Sequence, residues 1–179
     1  MKILIEMVLV LSMLAFVSPL AAKGGQPVNL EYAGYGYDTS FEMEPDGFPA
    51  NLTHARGKGT FGNSTVAITV EFYFDESQAV NCPEGYDLPF GVVPNNMWAF
   101  TITAANHDQV YGLFNTGYLC MTADHLHWVG ETQGFYVGGT GKYVDASGEW
   151  TSSFQGMNLE PVTGFRSITG EVRGTLNGD

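Results

Sequence analysis

Residues 138–148 read Gly-Gly-Thr-Gly-Lys-Tyr-Val-Asp-Ala-Ser-Gly, and they indicate the fold more clearly than any other part of the chain. Glycines at this density mark positions that need positive φ or a close approach of two backbones. They separate an aromatic, strand-like segment from a second one that begins near Trp150. The stretch therefore predicts a glycine-rich connection between two β-strands.

Outward from this stretch, residues 64–74 alternate with a period of two, with apolar side chains on the even positions. Such alternation is typical of strands with one buried face. The same parity returns in residues 98–103 and 168–176. Further strands are predicted at 28–37, 55–62, 109–115, 117–121, 125–137 and 149–158.

About eight antiparallel strands without a helical period predict an all-β fold, either a closed barrel or a sandwich. Glycines inside the predicted strands favour the strongly coiled strands of a small barrel. These glycines are Gly112, Gly156, Gly170 and Gly174.

The first 22 residues have the pattern of a secretory signal peptide. Lys2 precedes an apolar run, which is followed by the small residues Ala21 and Ala22. We expect cleavage after Ala22, with Gly24 as the alternative position. The apolar run is too short to span a bilayer comfortably. We therefore expect a secreted protein, extracellular or periplasmic.

Removal of the signal peptide leaves one domain's length of chain. Residues 23–54 are expected to supply an N-terminal strand and an acidic loop, and residues 55–179 the main body of the barrel. The mature part keeps the formal charge of −12. A field of this sign repels phosphate backbones and anionic lipid. The charge therefore argues against nucleic acid and membrane surfaces as partners.

The two cysteines, Cys82 and Cys120, both lie in the mature region. An even number of cysteines in an exported chain usually indicates disulfide pairing. We predict a Cys82–Cys120 disulfide, and two separate buried thiols are the alternative.

Three segments carry a resemblance to a known family: residues 138–143, 146–148 and 168–176. Together they resemble the allene oxide cyclase and dirigent superfamily of calycin-like, eight-stranded antiparallel barrels. More closely, the segments resemble uncharacterised secreted bacterial proteins of this barrel type, which also show a Cys-Pro-x-Gly turn and a later Leu-Cys pair. The resemblance covers roughly residues 55–176 and implies a single barrel of this kind. It also implies a lumen that receives an apolar substrate and steers its cyclisation or coupling, and it is compatible with a homo-oligomer.

Six aromatic residues fall on even strand positions and are expected to point into the lumen together. A barrel of eight strands is just wide enough to be filled by side chains or to hold one small ligand. We expect a mostly filled lumen with a shallow apolar cavity at one mouth, which binds a small apolar or aromatic molecule without catalysis or a cofactor. The six residues are Phe72, Phe74, Trp98, Phe100, Trp150 and Phe154.

Two enzymatic alternatives remain open. An isomerase, cyclase or dirigent-type protein would steer a substrate in the lumen, and Glu71 would be its candidate acid if that side chain were buried there. The alternation favours an outward, solvated Glu71 instead. A metal-dependent, cupin-like enzyme would use His125, His127 and Glu131, since residues at i and i+2 on a strand share a face. Because no histidine follows His127, the second cupin motif is missing, and we expect no metal.

Overall fold

The computed structural model describes residues 25–40, 49–94, 98–160 and 164–178. The predicted signal peptide and most of the acidic loop lie outside the described residues. The described residues form ten strands and two short 3-10 helices. The strands are β1 (Gln26–Asp38), β2 (Asn51–Gly59), β3 (Gly62–Val70), β4 (Phe72–Phe74), β5 (Leu88–Val92), β6 (Ala99–Thr103), β7 (Gln109–Met121), β8 (His127–Gly139), β9 (Gly148–Glu160) and β10 (Phe165–Leu176).

The strands form one antiparallel sheet that closes on itself. Their order is β4-β5-β7-β6-β3-β2-β1-β10-β9-β8, and the pairing of β7 with β8 completes the ring. β5 and β6 both pair with β7, so together they fill one position of the barrel, and β3 and β4 fill the next. The result is a closed, eight-stranded antiparallel barrel, which confirms the predicted fold class.

Strand boundaries differ from the predicted ones at several places. β2 begins at Asn51 rather than at residue 55, and β7 and β8 run unbroken through 115–117 and Gly130. β5 was not predicted, because Pro89 and Gly91 both weaken the strand pattern of its five residues. Pro89 is accommodated opposite Cys120 on β7.

Glu71 lies at the break between β3 and β4 and is fully buried. The expectation of an outward, solvated carboxylate is therefore wrong. The reason is local: the chain leaves the sheet after β5, and the amide of Val93 donates a hydrogen bond to the carbonyl oxygen of Glu71 at 3.0 Å. A break in the strand thus places this residue under a neighbouring segment, which a pattern of alternation does not reveal.

The glycine-rich stretch caps one end of the barrel. Its 3-10 helix, Gly141–Tyr143, buries the ring of Tyr143. That ring meets Phe61, from the turn between β2 and β3, edge to face at 5.7 Å between centroids. Gly138 and Gly148 have φ values of 124° and 120°, which side-chain-bearing residues rarely adopt. The predicted connection is confirmed, and its positive-φ glycines let Tyr143 fold back over the core.

Glycines on the inner wall make room for the large rings. A Cβ atom on Gly134 would lie 2.6 Å from Cζ2 of Trp150, and one on Gly130 would lie 2.6 Å from Cζ of Phe154. Protein interiors are close-packed, so each missing side chain is filled by a ring from the neighbouring strand. This alternation of small and large residues fills most of the lumen.

A candidate ligand cavity in the barrel lumen

A cavity of about 50 Å³ remains inside the barrel. An engineered apolar cavity of about 150 Å³ holds benzene, so this smaller space suits a slender group, and a ring enters it only if side chains of the wall shift. Its wall is mainly apolar. Seven aromatic rings contribute to it: Tyr32, Phe72, Phe100, Phe114, Trp128, Trp150 and Phe154.

The structure brings four of the six predicted aromatic residues together on this wall. Phe100 and Trp150 form its centre, with ring centroids 4.9 Å apart, and Phe72 and Phe154 face each other at 6.4 Å. These contacts confirm that four of the six rings at even positions point into the same interior.

Phe74 and Trp98 lie elsewhere. Phe74 is 46% exposed, because β4 is the last strand in the order and pairs with a strand on one side only. Its ring packs edge-on against Phe90. Trp98 is buried, but in a second cluster with Val92 and Val93, where the chain re-enters the sheet before β6. Neither side chain lines the cavity.

Sequence reasoning missed several residues of the wall. Trp128 and Phe114 follow the same even parity as Trp150, so the pattern contained the signal for them. Arg166 offered no such signal, because an arginine at the start of a strand is ordinarily a surface residue.

A buried hydroxyl pair lies on the wall. The hydroxyl of Tyr32 and Oγ of Ser152 are 3.2 Å apart in hydrogen-bonding contact. Burial raises the pKa of Tyr32 to about 12, although the bond to Ser152 works in the opposite direction. Tyr32 is therefore a neutral group under ordinary conditions.

An ion pair lies at the end of the barrel opposite the Tyr143 cap. The Arg166 guanidinium binds the Asp38 carboxylate through Nη2, and its Nε donates to the carbonyl oxygen of Gly164 at 3.0 Å. The two side chains are 17% and 31% exposed. Burial raises the pKa of Asp38, against the opposing effects of Arg166 and a hydrogen bond from Asn51. Arg166 is the charged member of the cavity wall among the described residues.

Two indole groups on the wall carry buried N–H donors. Nε1 of Trp128 and Nε1 of Trp150 are inaccessible to solvent and have no hydrogen-bond partner among the described residues. Buried polar atoms of native proteins are nearly always paired, so such donors call for an explanation. Trp128 lies opposite Gly156 on β9, which in turn lies opposite Ile168 on β10. Arg166 is the next inward position beyond Ile168, so Trp128 and Arg166 belong to the same end of the lumen.

The histidines do not approach the cavity. His125 lies in the turn before β8 with φ of 58°, so it does not share a strand face with His127, which is exposed. Across the described ranges, no group of three or more His, Cys, Asp or Glu side chains is arranged to hold a metal ion. Glu71 also lies outside the wall, in spite of its burial.

The predicted Cys82–Cys120 disulfide is present, with the two Cα atoms 5.5 Å apart. Cys120 is fully buried on β7, and Cys82 follows the 3-10 helix Glu76–Asn81. The bond therefore fastens this helix to the barrel wall. None of the helices in the described part of the chain has the length and apolar character needed to cross a membrane.

Comparison of the chain with models of known families, with curated proteins and with solved structures gave no match. The barrel itself rests on the strand pairing described above. The resemblance to the allene oxide cyclase and dirigent superfamily stays a prediction.

Proposed function

We propose that this protein binds a small apolar or aromatic molecule, without covalent chemistry, inside the barrel. The observation that carries the proposal is the apolar cavity of about 50 Å³, walled by seven aromatic rings, within a closed barrel. Apolar cavities of this kind tend to stay dry and to accept apolar molecules. Burying apolar surface of such a ligand contributes about 25 cal/mol per Å².

The ligand would approach from the end that holds Arg166. The other end is covered by Tyr143 and Phe61, which belong to the buried core. Arg166 and Asp38 keep partial exposure, so solvent reaches this end of the barrel. The ring of Phe154 contacts the rings of Phe72 and Trp128 on the wall, and the three offer edges and faces for an aromatic ligand.

A filled-cavity variant tests the proposal. In Ile68→Trp a larger side chain occupies the space beside Phe72, because Ile68 lines the cavity. The matched control is Thr65→Trp, at an exposed outward position of the same strand. Cumene, followed by NMR titration, should bind the wild type and Thr65→Trp and lose its affinity in Ile68→Trp. Equal binding to all three proteins, or no binding to the wild type, would refute the proposal.

An isomerase or cyclase that acts through the shape of the lumen is the second candidate. The Tyr32–Ser152 pair favours it, because a neutral phenol on the cavity wall can donate a hydrogen bond to a reacting oxygen. Neither a carboxylate nor a histidine contributes to the wall among the described residues, so a proton-transfer group is lacking there. Non-catalytic binding is therefore the better-supported function.

We further propose that the protein is exported before it folds. The apolar leader of residues 1–22 and the Cys82–Cys120 bond both support an oxidising compartment. Amino-terminal sequencing of the native protein should begin at Lys23. A mature protein that retains Met1 would contradict export by cleavage.

A further inference from the structure

The hydrogen-bond donors on the cavity wall outnumber the acceptors that they bind. The indole N–H groups of Trp128 and Trp150 lack acceptors among the described residues. Arg166 has five N–H donors, and its hydrogen bonds to described residues, to Gly164 and Asp38, use two of them. The wall therefore carries more donor capacity than its own acceptors take up.

The acceptor groups nearby each have a hydrogen-bond partner within the protein. Oδ1 of Asn51 accepts a hydrogen bond from Thr53 at 2.8 Å, and the Asp38 carboxylate accepts from Arg166. The hydroxyls of Tyr32 and Ser152 bind each other deeper in the barrel. A donor left without an acceptor in an apolar interior costs free energy. Because neither indole nitrogen is accessible to water, a ligand oxygen would satisfy one of them after the ring turns its N–H edge toward the cavity.

The charge at this end selects the type of acceptor. Asp38 neutralises Arg166 through their direct contact, so the pair has no net charge to attract an anion. The whole chain carries a formal charge of −12, which repels anions further. A carboxylate ligand would also bring a second negative charge close to Asp38.

We infer that the ligand is a neutral molecule with an apolar body and a hydrogen-bond acceptor oxygen, such as a ketone, ester or lactone, whose oxygen faces Trp128 and Arg166. This inference rests on the proposed binding function and adds the chemical class of the ligand. The apolar body lies among the rings of Phe100, Trp150 and Phe154, and the oxygen lies toward the Arg166 end.

Three probes of nearly the same size and shape test the inference: cumene, acetophenone and benzoate. They present a hydrocarbon, a neutral acceptor and an anion on the same ring. Dissociation constants are measured by NMR titration for the wild type, Trp128→Phe and Arg166→Met. Trp128→Phe keeps an aromatic ring and removes the buried donor together with part of the ring volume, so it serves even if Arg166→Met fails to fold. The affinity ratio of the two neutral probes corrects for the lost volume, because both probes are affected by it.

We expect the ratio of acetophenone to cumene affinity to fall about tenfold or more in at least one of the two variants, since hydrogen bonds to buried or charged donors have this size. Cumene affinity should change less than acetophenone affinity, and benzoate should bind the wild type more weakly than acetophenone. The inference would be overturned by an unchanged ratio in Trp128→Phe and in a folded Arg166→Met protein. It would also be overturned if benzoate bound the wild type more tightly than acetophenone, and both results would leave apolar binding intact. Failure of all three probes to bind the wild type would overturn the binding function as well.

Discussion

The rings of Phe100 and Trp150 meet edge to face in the middle of the barrel, with centroids 4.9 Å apart and planes inclined by 71°. Phe100 lies on β6 and Trp150 on β9, which β7 and β8 separate in the closed sheet, so the contact is made through the lumen. Edge-to-face pairs of this kind add to the stabilisation from buried area. Both rings line the cavity, whose wall continues to Phe72 and Trp128.

Gly134→Ala should destabilise the barrel by about 1–3 kcal/mol, because the new methyl group would meet both the Trp150 ring and the carbonyl oxygen of Leu113. The backbone oxygen belongs to the paired strand β7 and cannot move aside. Urea unfolding measures the effect. Gln133→Ala, at the exposed neighbouring position, is the control and should leave the midpoint almost unchanged. Equal midpoints for both variants would show that the ring does not lie over Gly134.

Tyr143→Ala should lower the free energy of unfolding by about 3–5 kcal/mol, because it removes a buried ring from the cap and leaves a void against Phe61. Val144→Ala changes the next residue, whose side chain is 63% exposed, and should have little effect. Thermal unfolding of the two variants separates these outcomes. A Tyr143→Ala protein as stable as Val144→Ala would contradict the capping role.

Loss of the disulfide should lower stability by about 3–4 kcal/mol, the chain-entropy value for a sequence separation of 38 residues. The variant is Cys82→Ala with Cys120→Ala, which avoids a lone buried thiol. Its urea midpoint should match that of the wild type in reductant. A variant that unfolds at the wild-type midpoint, or a native protein with two titratable thiols, would contradict the bond.

Stability should fall as pH rises from 10 toward 12, with Tyr32 as one cause. Burial raises its folded-state pKa to about 12, above the ordinary value of 10.0. A raised pKa means that the folded protein favours the neutral phenol, so its contribution is complete below pH 10 and is lost as the phenol ionises. Tyr32→Phe should show a shallower loss of stability over this range. Identical pH dependence in both proteins would place Tyr32 in contact with water.

Much of the fold was predictable because alternation reports burial directly. Val66 and Ile102 follow the parity of their strands and lie in the core, and Gly138 and Gly148 adopt the positive φ that their spacing predicted. The disulfide followed from an even number of cysteines in a chain with a predicted leader peptide. These signals are local or compositional, so a single sequence contains them.

The rest depended on where strands break and meet. Glu71 is buried because β3 is interrupted beside the segment that leaves β5, and Phe74 is exposed because its strand ends the sheet. The Arg166–Asp38 pair joins residues 128 positions apart. No periodicity within one strand encodes such contacts, so the polar end of the cavity was not found from the sequence.

The most direct test is an NMR measurement of intermolecular NOEs between bound cumene and the protein. The account predicts NOEs from the aromatic protons of cumene to Ile68, Ile102 and Val172, which line the cavity. NOEs confined to Phe135 and Val137, which are exposed on the outer face of β8, would contradict binding inside the barrel.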